Sequence, residues 1–138
     1  MERLLLAVAV VAVAALVGEI VRRRRVADPP TQPRLAVPTQ LDRSDFAGTG
    51  WLVAVFTSDT CSTCADVASK AAVLGSPEVT VQILSFPAAR DLHARYSIDA
   101  VPCVVIADGD GVVQRTFVGP VTATDLWAAV ADVRRTSG

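Results

Sequence analysis

The chain has 138 residues, 51% of them hydrophobic, and a formal net charge of −1, which is room for one domain of ordinary size plus an appendage. The charge is unevenly spread. Up to residue 40 six arginines stand against Glu2, Glu19 and Asp28, whereas from residue 41 onward seven Lys or Arg stand against eleven Asp or Glu, and an acidic domain without a basic stripe argues against nucleic acid as its partner.

The first element is an apolar run. Residues 4 to 17, "LLLAVAVVAVAALV", carry no polar side chain, and the run continues through Gly18, Glu19, Ile20 and Val21 to "RRRR" at 22 to 25. A helix from Leu4 to Val21 would be about 27 Å long, just enough to span a bilayer core. Glu19 sits near its end, one turn from Arg22 and Arg23, where the charges can pair at the interface. A cleaved signal peptide is the alternative. Against it, the positive flank before the run is only Arg3, no small-x-small site follows, and the first cysteine is Cys61. The expected organisation is a transmembrane anchor with a basic flank over 1–25, a proline-rich linker over 26–40 that holds the domain off the membrane, and a folded domain over 41–138. The four arginines after the helix place the domain in the cytoplasm by the positive-inside rule, with the extracytoplasmic side as the alternative.

Within the domain, "LDRSDFAG" at 41 to 48 predicts a short helix or turn. "WLVAVFTS" at 51 to 58 is a nearly continuous apolar run with β-branched residues, hence a buried strand. Residues 61 to 74 predict a helix, with Cys64, Val67, Ala68, Ala71 and Leu74 at spacings of three and four, closed by Gly75. "VTVQILSF" at 79 to 86 predicts a second strand, "AARDLHARY" at 88 to 96 a helix and "CVVIAD" at 103 to 108 a third strand. "DGDG" at 108 to 111 is a hairpin turn, and 112 to 119 the returning strand. Thr122 and Asp125 form a capping-box-like start to a last helix that should bury Leu126, Trp127, Val130 and Val133. Strand–helix–strand implies parallel pairing with a right-handed crossover, and the hairpin adds an antiparallel edge. The expected fold is α/β: a mixed sheet with helices on both faces.

Chemistry centres on "TSDTCSTCADVASK", residues 57 to 70. Cys61 is expected at the N-terminus of a helix that directly follows a buried strand, where unpaired N–H groups and the macrodipole favour a thiolate. Cys64, one helical turn on, can attack a mixed disulfide formed at Cys61 and release the partner. A Cys-x-x-Cys pair alone is a weak signal; its position between strand and helix strengthens it.

With these motifs the chain resembles the thioredoxin superfamily from about residue 39 to 135. "WLVAVFTSDTCSTC" is similar to the strand and active-site loop of that family, and "YSIDAVPCVVIADGDG" to the segment that holds its cis-proline. Gly111 and Gly119 match glycines of the following hairpin, and the final amphipathic helix matches the family's last one. The resemblance implies a thioredoxin-like fold, catalytic Cys61 and Cys64, and a cis Val101–Pro102 bond beside them. It leaves the Val101 backbone to pair with an extended substrate segment. Departures are plain: Thr60 stands where the family has tryptophan, Ser62–Thr63 where thioredoxins have Gly-Pro, and Val55 where they bury an acid. These point away from a general cytosolic thioredoxin. The chain looks more like membrane-tethered thiol–disulfide proteins serving a few clients, including thioredoxin-like accessory proteins of enzyme maturation.

The resulting expectation is a membrane-tethered thiol–disulfide oxidoreductase acting on protein clients with thiols or disulfides. Val101 and Pro102 would bind the client; no cofactor and no metal would be required. Two alternatives stand beside it. One is a non-enzymatic interaction domain on the same fold, favoured by the missing acid and aromatic. The other is a metal-binding module in which Cys61, Cys64, Cys103 and His93 would ligate a soft metal, although the spacing matches no closed zinc site and a lone mid-helix histidine is usually a surface residue. Cys103 is read as a buried strand cysteine packing as a small apolar residue.

Overall fold

The computed structural model describes residues 1–24 and 36–137. The chain divides into two compact units, Met1–Arg34 and Leu35–Gly138.

In the first unit, helix α1 runs from Glu2 to Arg24. Its leucines and valines between Leu4 and Val17 are exposed, Leu4 and Leu5 by 70%. The expected helix is present, but its length as a span is not: among the described residues no helix is long and apolar enough to cross a membrane. The uninterrupted apolar stretch, residues 4 to 17, measures about 21 Å against a hydrocarbon core of about 30 Å. The longer span to Val21 takes in Glu19 and positions whose side chains fall outside the description. The expected linker lies outside the described residues as far as residue 35.

The second unit opens with residues 39 to 41 hydrogen-bonded along the hairpin: Leu41 N–H donates to the Gly111 carbonyl (2.8 Å) and Val113 N–H to Thr39 (3.0 Å). A 3-10 turn follows at Arg43–Asp45, where the Asp42 carboxylate accepts from Ser44 N–H. The elements after it are β1 (Trp51–Ser58), α2 (Cys64–Ala72), β2 (Val79–Phe86), α3 (Arg90–Arg95), β3 (Cys103–Ala107), β4 (Val113–Val118) and α4 (Ala123–Thr136). The sheet order is β2-β1-β3-β4, with β1 parallel to β2 and antiparallel to β3, and β3 antiparallel to β4. This is a mixed α/β architecture with a four-stranded mixed sheet flanked by helices.

Alternation along β1 builds the core. Side chains of a strand point to opposite faces with period two. Val53 and Val55 join Val104, Ile106, Val67 and Ala71 of α2, and Leu126, Val130 and Val133 of α4 on one face. Leu52, Ala54 and Phe56 join Val105, Leu41, Phe46 and Tyr96 on the other. Residues 52 to 56 have no exposed surface. Such burial stabilises by about 1.5–3 kcal/mol for each large apolar side chain.

Two expectations about packing are corrected. Trp127 is 45% exposed rather than buried. Its ring lies at the rim, where Nε1–H donates to the Lys70 carbonyl (3.0 Å) near the C-terminal end of α2. An indole has a polar handle that seeks an acceptor, and here the acceptor is at the edge of the core. His93, expected on the surface, is buried. Its Nε2 lies 2.8 Å from the Leu84 carbonyl, and the ring meets Phe56 edge-on at 5.2 Å. Since a carbonyl only accepts, Nε2 carries the proton.

Candidate redox site

The loop that follows β1 is fastened to its neighbours before it reaches the first cysteine. In the parallel register Ser58 is level with Phe86. Asp59 N–H donates to the Phe86 carbonyl (3.1 Å), and the Asp59 carboxylate accepts from the Ser85 hydroxyl. Cys61 N–H then donates to the Ser58 carbonyl (3.1 Å), closing a turn that reverses the chain.

Helix α2 starts at Cys64, with Thr63 as its N-cap, and ends at Ala72. The expected helix over 61–74 is therefore too long at both ends, and Cys61 stands in the turn before the helix rather than at its first residue. The cause is local: the backbone of 58 to 61 is committed to turn hydrogen bonds, so the first helical bonds form later. The macrodipole argument made for Cys61 thus applies more directly to Cys64.

Cys61 and Cys64 are joined as a disulfide, with Cα atoms 5.4 Å apart. The two sulfurs are unequally placed. Cys64 is 2% exposed, while Cys61 is only half-buried. Its Sγ lies 3.6 Å from the Thr63 hydroxyl. An incoming partner reaches Cys61 first.

The Val101–Pro102 peptide is cis. Pro102 is buried, and its carbonyl accepts from Gly119 N–H (2.8 Å), which ties it to the end of β4. Because Cys103 is level with Phe56 in the antiparallel register, the residues preceding Cys103 reach the same end of the sheet as the cysteine loop. Among the described residues no group hydrogen-bonds to the Val101 backbone. A second cis bond, Phe86–Pro87, ends β2 on the other side of β1. It was not expected; the signal available was a proline directly after a strand. Phe86 is 41% exposed and rests on the His93 ring at 5.8 Å, with the Arg90 guanidinium over it at 5.9 Å.

Cys103 is a free, buried cysteine. Burial pushes its thiol up to about 11, so it packs as a neutral apolar side chain. Among the described residues no three His, Cys, Asp or Glu are grouped as a metal ion would require. Cys61, Cys64, Cys103 and His93 are thus not brought together as a ligand set.

No family model matches the chain, and no curated protein matches it. Among solved structures the chain is similar to one described as "Structure of a malarial protein", with a TM-score of 0.54, 14% identity, and coverage of 62% of this chain and 97% of that one. The likeness is one of fold. It supports the sheet-and-helix architecture and carries nothing about activity.

Proposed function

We propose that the second unit is a thioredoxin-like thiol–disulfide oxidoreductase for protein clients. The observation that carries this reading is the unequal exposure of a bonded Cys61–Cys64 pair at the end of the central strand.

In the reducing direction the Cys61 thiolate attacks one sulfur of a client disulfide. The client S–S bond breaks, and the first client thiolate leaves and takes a proton from water. Cys64 then loses its proton to water and, as the thiolate, attacks Cys61 Sγ; the mixed disulfide breaks, and the second client thiolate leaves and is protonated from water. Two electrons have passed to the client, and the protein holds its own Cys61–Cys64 disulfide. A dithiol reductant returns it to the starting state, and every step is reversible for oxidation of a client dithiol. The unpartnered Val101 backbone, held by the buried Pro102, supplies a donor and an acceptor for an extended client segment. Helix α1, with the leucines and valines between Leu4 and Val17 exposed, is read as a membrane tether that binds through this apolar surface.

A non-enzymatic interaction domain is the second reading, and one observation favours it. Among the described residues the buried polar side chains are Thr57 and His93, with no carboxylate among them, so none of these residues supplies a buried acid to take the proton of Cys64.

The test is trapping. Cys64→Ser should accumulate reductant-sensitive mixed disulfides through Cys61, whereas Cys61→Ser should not, because Cys64 is covered. Equal adducts from both variants would remove the assigned roles. Adducts from neither, in folded protein under oxidising challenge, would leave the interaction domain.

A further inference from the structure

The chain contains two Thr-x-x-Asp motifs at helix starts, and they behave differently. At α4, Thr122 Oγ1 accepts from Asp125 N–H (3.1 Å) and donates to the Asp125 carboxylate (2.7 Å), a reciprocal cap. At α2, Thr63 occupies the N-cap with helical φ and ψ (−85° and −15°) and makes no capping hydrogen bond. Asp66, which would complete the box, pairs instead with Lys70 at 2.6 Å. The Thr63 hydroxyl faces Cys61 Sγ at 3.6 Å. A disulfide sulfur has only lone pairs to offer, so the hydroxyl is the donor.

We propose that Thr63 is a catalytic residue that stabilises the Cys61 thiolate. This rests on the oxidoreductase reading for its meaning to clients, and it deepens that reading. When the disulfide is reduced, the acceptor beside the hydroxyl becomes either a neutral thiol or a thiolate. A hydrogen bond to the charged form is the stronger one and lowers the pKa. Among the described residues no charged side chain makes a hydrogen bond or ion pair to this sulfur, and the charged groups around it have other partners. Asp59 in the loop accepts from Ser85, Asp66 and Lys70 on α2 hold each other, and Arg90 on α3 lies over Phe86. Cys103 at the start of β3 stays protonated to about 11.

The experiment is the pH dependence of Cys61 alkylation by iodoacetamide in the reduced full chain, in detergent, read by peptide mass. In Thr63→Val the midpoint should rise by roughly half to one pH unit. Intrinsic nucleophilicity rises as the thiol becomes more basic, with a Brønsted slope of about 0.4–0.5. Below the midpoint alkylation should therefore slow by roughly two- to threefold, while the high-pH plateau rises by a similar factor. Thr63→Ser should follow the parent chain, and Thr63→Ala should follow Thr63→Val. Coincident midpoints for Thr63→Val and the parent, or a Thr63→Ser that tracks Thr63→Val, would overturn the assignment. Because a small electrophile needs no client, failure of client trapping would remove the oxidoreductase reading and leave this result standing on its own.

Discussion

His93 Nε2–H donates to the Leu84 carbonyl across 2.8 Å, joining α3 to the edge strand β2 inside an otherwise apolar cluster. Replacing the donor by a hydrocarbon of similar reach strands that carbonyl. His93→Leu should lower the stability of the second unit by about 1–3 kcal/mol, seen as an earlier urea midpoint with an unchanged slope. An unchanged midpoint would mean that the carbonyl finds water or a sheet partner.

The two threonine motifs should separate in stability as they do in geometry. Thr122→Ala removes a formed cap and should cost about 1 kcal/mol. Thr63→Ala removes a hydroxyl that caps nothing and should change the oxidised protein's unfolding free energy, read from its urea midpoint, by no more than about a few tenths of a kcal/mol. Equal losses would show that Thr63 caps α2 in solution.

Alkaline pH should weaken the fold through Cys103. The thiol's ordinary value is 9.0 and burial pushes it up to about 11 in the folded chain. The folded state therefore keeps its proton to higher pH than the unfolded one. Its contribution is complete below pH 9 and is lost as pH rises towards 11, a loss on the order of 2–3 kcal/mol. Tyr96, raised by desolvation and then by its hydrogen bond to Asp45, works in the same direction above pH 10. Cys103→Ala should abolish most of the fall between pH 9 and 10 and make the fall from pH 10 to 11 shallower, leaving there the part due to Tyr96. An equally steep fall in Cys103→Ala would rule Cys103 out as its source.

Gly111 and Gly119 both have positive φ, +83° and +91°, but only one is crowded. A Cβ at Gly111 would lie 2.0 Å from the Leu41 carbonyl oxygen, whereas nothing lies within 4 Å of one at Gly119. Gly119→Ala should lose about 1–2 kcal/mol from backbone conformation alone. Gly111→Ala should lose more, because it also forces apart the hairpin and the segment hydrogen-bonded to it. The order of the two urea midpoints checks this.

Much of the sheet was legible in the chain. Continuous apolar runs marked β1 and β3, and Gly111 marked the hairpin, because burial on two faces and positive φ each demand a narrow set of residues. Helix limits were less legible. The apolar spacing of α2 extends back to Cys61, but hydrogen bonding to Ser58 holds Cys61 in a turn, and no periodicity reports that competition. His93 and Trp127 were misplaced for one reason: each has a polar atom whose acceptor, Leu84 or Lys70, is a backbone carbonyl distant in sequence. The cysteine pair was legible as a motif. The part of Thr63 was not, since the same four-residue pattern caps one helix and leaves the other uncapped.

The position of β1 bears on how the cysteine loop moves. Residues 52 to 56 are hydrogen-bonded to strands on both sides and sealed above and below. Their amides should be among the last in the chain to exchange with deuterium, opening only with the whole unit. The loop begins just beyond them, at Asp59. Thermal opening of α3, the hairpin or the chain ends can thus proceed while the two sulfurs keep their spacing. Breaking and remaking the bond between them becomes a local event on a rigid mount, and protection at β1 should be nearly the same in the oxidised and reduced protein.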